Sequence, residues 1–141
     1  MGLVQGEWTF ADSAAPSLEA VLEGLRSRTG LEVSRDTSTG TDWIELPLLK
    51  TNLFEWQRDP GRIEVRGFIP PHPYAWVQLN EAMADLGGTP SRNTRAFLAD
   101  FPAPALRRPW AELTKLQRFA LRFGPFWGWR PLDRFAFRDD D

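Results

Sequence analysis

Hydrophobic and polar residues alternate most clearly between Trp43 and Ile69. Ile44, Leu46 and Leu48 fall on one side of an extended chain, with Trp43 and Glu45 on the other, which predicts a strand over Trp43–Leu49. Lys50, Thr51 and Asn52 then turn the chain. Phe54 and Trp56 alternate with Glu55 and Gln57, and Ile63 and Val65 alternate with Glu64 and Arg66. Between these runs Asp59-Pro60-Gly61 has the residues of a tight turn, so strands over Leu53–Arg58 and Arg62–Ile69 form a hairpin. If the loop is Pro60-Gly61 alone, Glu55 lies opposite Arg66 and Trp56 opposite Val65; a bulge would shift that pairing.

The period changes on either side of this region. Upstream, Pro16 opens a segment in which Leu18, Val21, Leu22 and Leu25 recur at helical spacing. Early glutamates, late arginines and Gly30 complete the helix signal. Glu7–Phe10 before it reads as an edge strand and Leu31–Ser34 after it as a second strand. The polar run Asp36–Thr41 reads as a loop. Downstream, Pro70, Pro71 and Pro73 end the hairpin. Trp76, Leu79, Met83 and Leu86 then trace a helix that leaves Gln78, Glu81 and Asp85 to solvent and stops at Gly87-Gly88.

Beyond Gly88 the pattern weakens. A short helix is expected over Ser91–Ala99. From Pro109 a further helix should carry an apolar stripe of Trp110, Leu113, Leu116, Ala120 and Phe123 and a basic stripe of Lys115, Arg118 and Arg122. The expected architecture is a single α+β domain over residues 1–141. An antiparallel sheet of about five strands, in β-α-β-β-β-β-α order with helices on one face, forms the body over 1–88. A basic, aromatic helical extension over 89–141 packs on it.

Composition changes this picture in two ways. Residues 1–88 have a net charge of −6 and residues 89–141 a net charge of +4, although the whole chain is only −2. The halves should therefore attract each other, or the basic one should face an acidic partner. The chain also has no cysteine, which excludes disulfides, thiolate nucleophiles and iron–sulfur clusters, and its single histidine leaves only carboxylates as metal ligands. No cofactor is expected. Without a leader or a long apolar run, a soluble cytoplasmic protein is the expectation.

His72 sits at a strand-to-helix corner between two prolines. It has no nucleophile near it in sequence, so a structural or surface role is the simpler reading. Glu45, Glu55 and Glu64 alternate onto the polar sides of neighbouring strands, where paired carboxylates would suit a hydrolase; interleaved arginines suit a solvated face better. The segment with most to explain is basic and aromatic. Trp127, Trp129, Arg130, Arg118, Arg122 and Lys115, together with His72 at the corner, form the candidate interaction surface. Trp and Arg dominate protein interfaces, so another protein is the expected partner, in an adaptor or toxin-neutralising immunity role. The alternatives are the carboxylate hydrolase and a peripheral membrane protein that uses Trp127 and Trp129. The terminal Asp139-Asp140-Asp141 argues against nucleic acid.

Overall fold

A six-stranded antiparallel sheet with helices against one face forms the body of this α+β protein, as a computed structural model shows for residues 3–123 and 129–137, apart from the side chains of Phe54, Glu55, Gln57 and Trp129. In chain order the elements are β1 (Leu3–Phe10), α1 (Leu18–Thr29), β2 (Ser34–Asp36), β3 (Trp43–Leu46), β4 (Thr51–Asp59), β5 (Arg62–Phe68) and α2 (Pro73–Asp85). They continue with β6 (Gly88–Pro90), α3 (Arg92–Leu98), α4 (Lys115–Phe123) and α5 (Trp129–Leu132), which runs into a π-helical turn over Asp133–Phe137. The strands lie in the order β2-β3-β4-β5-β1-β6.

That order corrects the expectation for the first strand. β1 is internal, paired with β5 on one side and with β6 on the other. β6 is only three residues long and begins at the second glycine of the expected helix stop, too short to show any alternation. The second strand is displaced as well. Leu31 and Val33 are buried as the chain approaches the sheet, but the ladder itself pairs Ser34 with Glu45 and Asp36 with Trp43. β3 ends at Leu46, because Pro47 has no N–H for the ladder and starts a 3-10 turn over Pro47–Leu49. Lys50 closes that turn in the left-handed region at φ 54°.

The hairpin keeps the expected register next to its turn, with Asp59 opposite Arg62 and Gln57 opposite Glu64. A bulge between Phe54 and Gln57 then shifts the pairing by one, so that Phe54 instead of Glu55 lies opposite Arg66. The Trp56 N–H turns away from β5 and donates to the Asp42 carbonyl at 3.3 Å.

The helix-facing side of the sheet carries Trp8, Phe10, Ile44, Leu46, Leu53, Ile63 and Val65, all buried. Both long helices begin and end as their sequences require. Ser17 caps α1, and Gly30 ends it in the left-handed region at φ 74°. His72 caps α2, with the Ile69–Pro70 peptide bond just before it in the cis form.

Trp76 of α2 and Trp8 of β1 converge where the sheet has no side chains. A Cβ on Gly6 would lie 2.5 Å from Trp8 Cη2 and 2.8 Å from Trp76 Cζ3, and one on Gly67 would lie 2.9 Å from Trp76 Cζ2. The two glycines, on adjacent strands, let a large indole lie close to the backbone. Gly6→Ala should therefore lower stability by about 1–3 kcal/mol, read as an earlier midpoint in chemical denaturation. An unchanged midpoint would contradict this packing.

Candidate interaction surface

The C-terminal extension buries Phe101, Leu106, Leu113 and Leu121 in the common core and is also fastened by polar side chains of α2. Tyr74 Oη donates to the Arg108 carbonyl at 2.7 Å, and Gln78 Nε2 donates to the Leu106 and Arg108 carbonyls at 2.8 and 3.1 Å. Gln78, expected at the surface, is thus fully buried; the 3-10 turn over Pro104–Arg107 covers it. Burial pushes the Tyr74 hydroxyl well above its ordinary pKa, so it stays a donor at any physiological pH. The opposite charges of the two halves meet where Arg107 Nε lies 2.9 Å from Glu81 Oε1.

His72 belongs to the same set of fastenings, and not to the surface. Only 4% of it is exposed. Its Nδ1 accepts from the Ala75 N–H at 3.3 Å as the helix cap, which leaves Nε2–H to donate to the Leu121 carbonyl of α4 at 2.7 Å. Burial lowers its pKa to about 4, so the ring is neutral at pH 7, as that pair of bonds requires. The corner histidine joins two helices and presents nothing to a partner.

α4 starts later than expected and is turned about its axis. Pro109 leads only into a 3-10 turn over Trp110–Glu112; the helix itself opens at Lys115. Its start is a reciprocal cap: Thr114 Oγ1 accepts from the Gln117 N–H, and Gln117 Oε1 accepts from the Thr114 N–H, both at 3.1 Å. Gln117, Ala120 and Leu121 face inward. Leu116 and Phe123, expected in the core, are 45% and 43% exposed, and Phe119 between them is 56% exposed. These three residues, at i, i+3 and i+7, form a second apolar stripe that points away from the body.

The stripe borders a groove of about 370 Å³ lined by Leu48, Trp110, Phe119 and Phe123 with Lys115, Arg118 and Arg122 around them. Trp110 is braced edge-on against Tyr74 at 5.4 Å, and the Phe119 and Phe123 rings lie 5.1 Å apart. Lys115, Arg118 and Arg122 make no ion pair with any described residue. Three of the expected cations, Lys115, Arg118 and Arg122, thus lie beside the exposed side chains of Leu116, Phe119 and Phe123.

The remaining candidates are scattered. Arg130 is exposed on α5 and lines a separate depression with Pro70, Phe97 and Asp133. Trp127 lies outside the described residues, as does the side chain of Trp129. On the polar sheet face, Glu64 is 3.3 Å from Arg62, which also approaches Glu7 and Asp59. Glu45 stands two strands away, and partial desolvation followed by neighbouring Asp36 raises its pKa. The side chain of Glu55 falls outside the described residues. Among those described, no three His, Asp or Glu side chains gather as a metal site. No helix among them is long and apolar enough to cross a membrane.

Comparison with known protein families, with curated proteins and with solved structures found no match.

Proposed function

We propose that this chain is a small non-catalytic binding protein that docks an acidic, amphipathic segment of another protein against the outward face of α4. The observation that supports the reading is the stripe of Leu116, Phe119 and Phe123 beside an aromatic groove, rimmed by cations without carboxylate partners among the described residues. Burying that stripe would remove apolar surface from water, and acidic side chains on the incoming segment would neutralise Lys115, Arg118 and Arg122. Aromatic and Arg side chains packed around a depression are the usual anchors of a protein interface. Such a role is of the adaptor or toxin-neutralising type.

The same combination of Phe, Leu, Lys and Arg suits an anionic membrane surface. Leu48 and Trp110 come from other parts of the chain and line a shallow, open depression beside the helix stripe, and a surface built from several elements favours a protein segment over a bilayer, which takes the face of one amphipathic helix. The polar sheet face supports the hydrolase reading less, since Glu64 already neutralises Arg62 and stands apart from Glu45.

The test compares wild type with Phe119→Glu, an exposed position at which substitution leaves the core intact. A protein that co-purifies in stoichiometric amounts with wild type should bind the variant at least roughly thirtyfold more weakly, the effect of losing an anchor worth 2 kcal/mol. Equal retention by both proteins would refute the assignment of the face. Phe119-dependent binding to anionic phospholipid vesicles, with no protein retained, would transfer the surface to the membrane reading.

A further inference from the structure

Beside the α4 face lies a second depression of different chemistry. It is a cleft of about 290 Å³ between the turn that precedes β4, the end of β5 and the start of α2, with Lys50, Asn52, Gly67, Phe68, Trp76 and Arg122 among its lining residues. Trp76 reaches it only because Gly67 has no side chain. Ile69 and Pro70 extend its apolar wall, and Asn52 and Thr51 add polar groups at the rim. Among the described residues that line it there is no acid.

Both cations lie against one aromatic ring. Lys50 Nζ lies 5.0 Å and Arg122 Cζ 5.2 Å from the centre of the same Phe123 ring, which places the charges within about 10 Å of each other. That upper bound is comparable to the screening length, about 8 Å at physiological salt, so the two fields overlap with partial screening. Arg122 Nε is shielded from solvent and has no hydrogen-bond partner among the described residues. Desolvated donors of this kind are costly unless a ligand satisfies them. The backbone of Lys50 is set in the left-handed region at the end of the 3-10 turn, and that of Arg122 by a helix whose carbonyl at Leu121 is bonded to His72. The fold thus fixes the point from which each cation extends into the cleft lining.

We propose that this cleft binds a carboxylate carried on a flat apolar body, with the carboxylate between Lys50 and Arg122 and the body against Trp76 and Phe68. Volume and polarity set the class. The cleft has room for roughly ten non-hydrogen atoms at liquid-like density. A phosphate dianion would leave oxygens unpaired against Phe68, Ile69 and Pro70, whereas a carboxylate can be satisfied by two cations and the Asn52 amide. A free aromatic acid and the terminal carboxylate of a peptide share this chemistry. The inference concerns a small ligand; it shares Arg122 with the α4 face but not Lys50 or Phe119, so Lys50→Gln tests the cleft and Phe119→Glu tests the docking face separately.

The probe is phenylacetate, titrated into the full chain while the Trp76 indole N–H and the Gly67 amide are followed by NMR. Saturable shifts confined to the cleft are expected, with none from phenylacetamide at the same concentration. Arg122→Gln and Lys50→Gln should each weaken binding at least tenfold, with otherwise unchanged spectra showing that the variants are folded. N-acetylphenylalanine, titrated in parallel, separates the two sources: tighter binding than phenylacetate assigns the cleft to a chain terminus, and weaker binding to a free acid. Three results would overturn the proposal: no saturable shift with either acid, equal binding of the amide, or binding of inorganic phosphate as tight as that of phenylacetate. Unchanged affinity in both variants would do the same.

Discussion

Trp76→Ala should destabilise the protein by about 3–5 kcal/mol. The indole is almost fully buried and touches three parts of the structure at once. It lies against the glycine gap in β1 and β5, meets the Phe97 ring of α3 edge-on at 5.4 Å, and forms part of the cleft wall beside Lys50 and Arg122. Deleting it leaves a void beside two glycines, which have no side chains to move into it. Urea denaturation measures the loss. A cost below about 1 kcal/mol would mean that the sheet relaxes around the gap and that Gly6 and Gly67 serve some other purpose.

The second large effect is a loss of stability in mild acid. His72 is neutral in the fold, with its pKa lowered by burial to about 4, whereas in the unfolded chain it titrates near 6.5. Between these values the unfolded state binds more protons, so stability is fully present above about pH 6.5 and falls as pH drops toward 4. The shift corresponds to on the order of 3 kcal/mol across that window. Asp36 and Asp85 have carboxyls held below their ordinary pKa, by hydrogen bonds from Ser38 and from Arg28 respectively, so their losses come at lower pH. Glu45, pushed upward, acts in the opposite sense. His72→Gln should be less stable at pH 7, having lost a cap and a bond to Leu121, but should show a flatter stability profile between pH 6.5 and 4. Parallel profiles for the two proteins would assign the acid sensitivity elsewhere.

These two residues also show how far the sequence could be read. The β3–β4–β5 meander, the turn at Pro60-Gly61 and the helix stop at Gly30 all follow from local chemistry, and local chemistry is visible in a single chain. The environment of Gln78 is not. Its position on the helix predicts solvent, and only the return of Leu106 and Arg108 over that face makes it a buried donor. His72 is similar, because the carbonyl that it meets belongs to Leu121, 49 residues away.

The phase of α4 had a signal in the sequence that the apolar stripe obscured. Thr114-x-x-Gln117 is a capping box, and starting the helix at Lys115 separates Trp110 and Leu113 from the stripe. The helix then has two apolar lines. Ala120 and Leu121 pack inward, whereas Leu116, Phe119 and Phe123 face out. Which line faces the body is decided by tertiary contacts, among them the reach of Gln117 Nε2 to the Ala136 carbonyl at 3.4 Å. Charge segregation drew attention to the C-terminal third, and the exposed apolar side chains described there include Leu116, Phe119 and Phe123 at helical spacing, a stripe that the sequence pattern assigned in part to the core.

Site-specific photo-crosslinking from position 119 in living cells tests the central claim most directly. A photoreactive phenylalanine analogue there should give one discrete protein adduct, weakened when Lys115 and Arg118 are both reversed to Glu. The same group at the exposed Thr89 position of β6, on the far edge of the sheet, should give none. Identical adduct patterns from the two positions, or no protein adduct from position 119, would contradict a partner docked on α4.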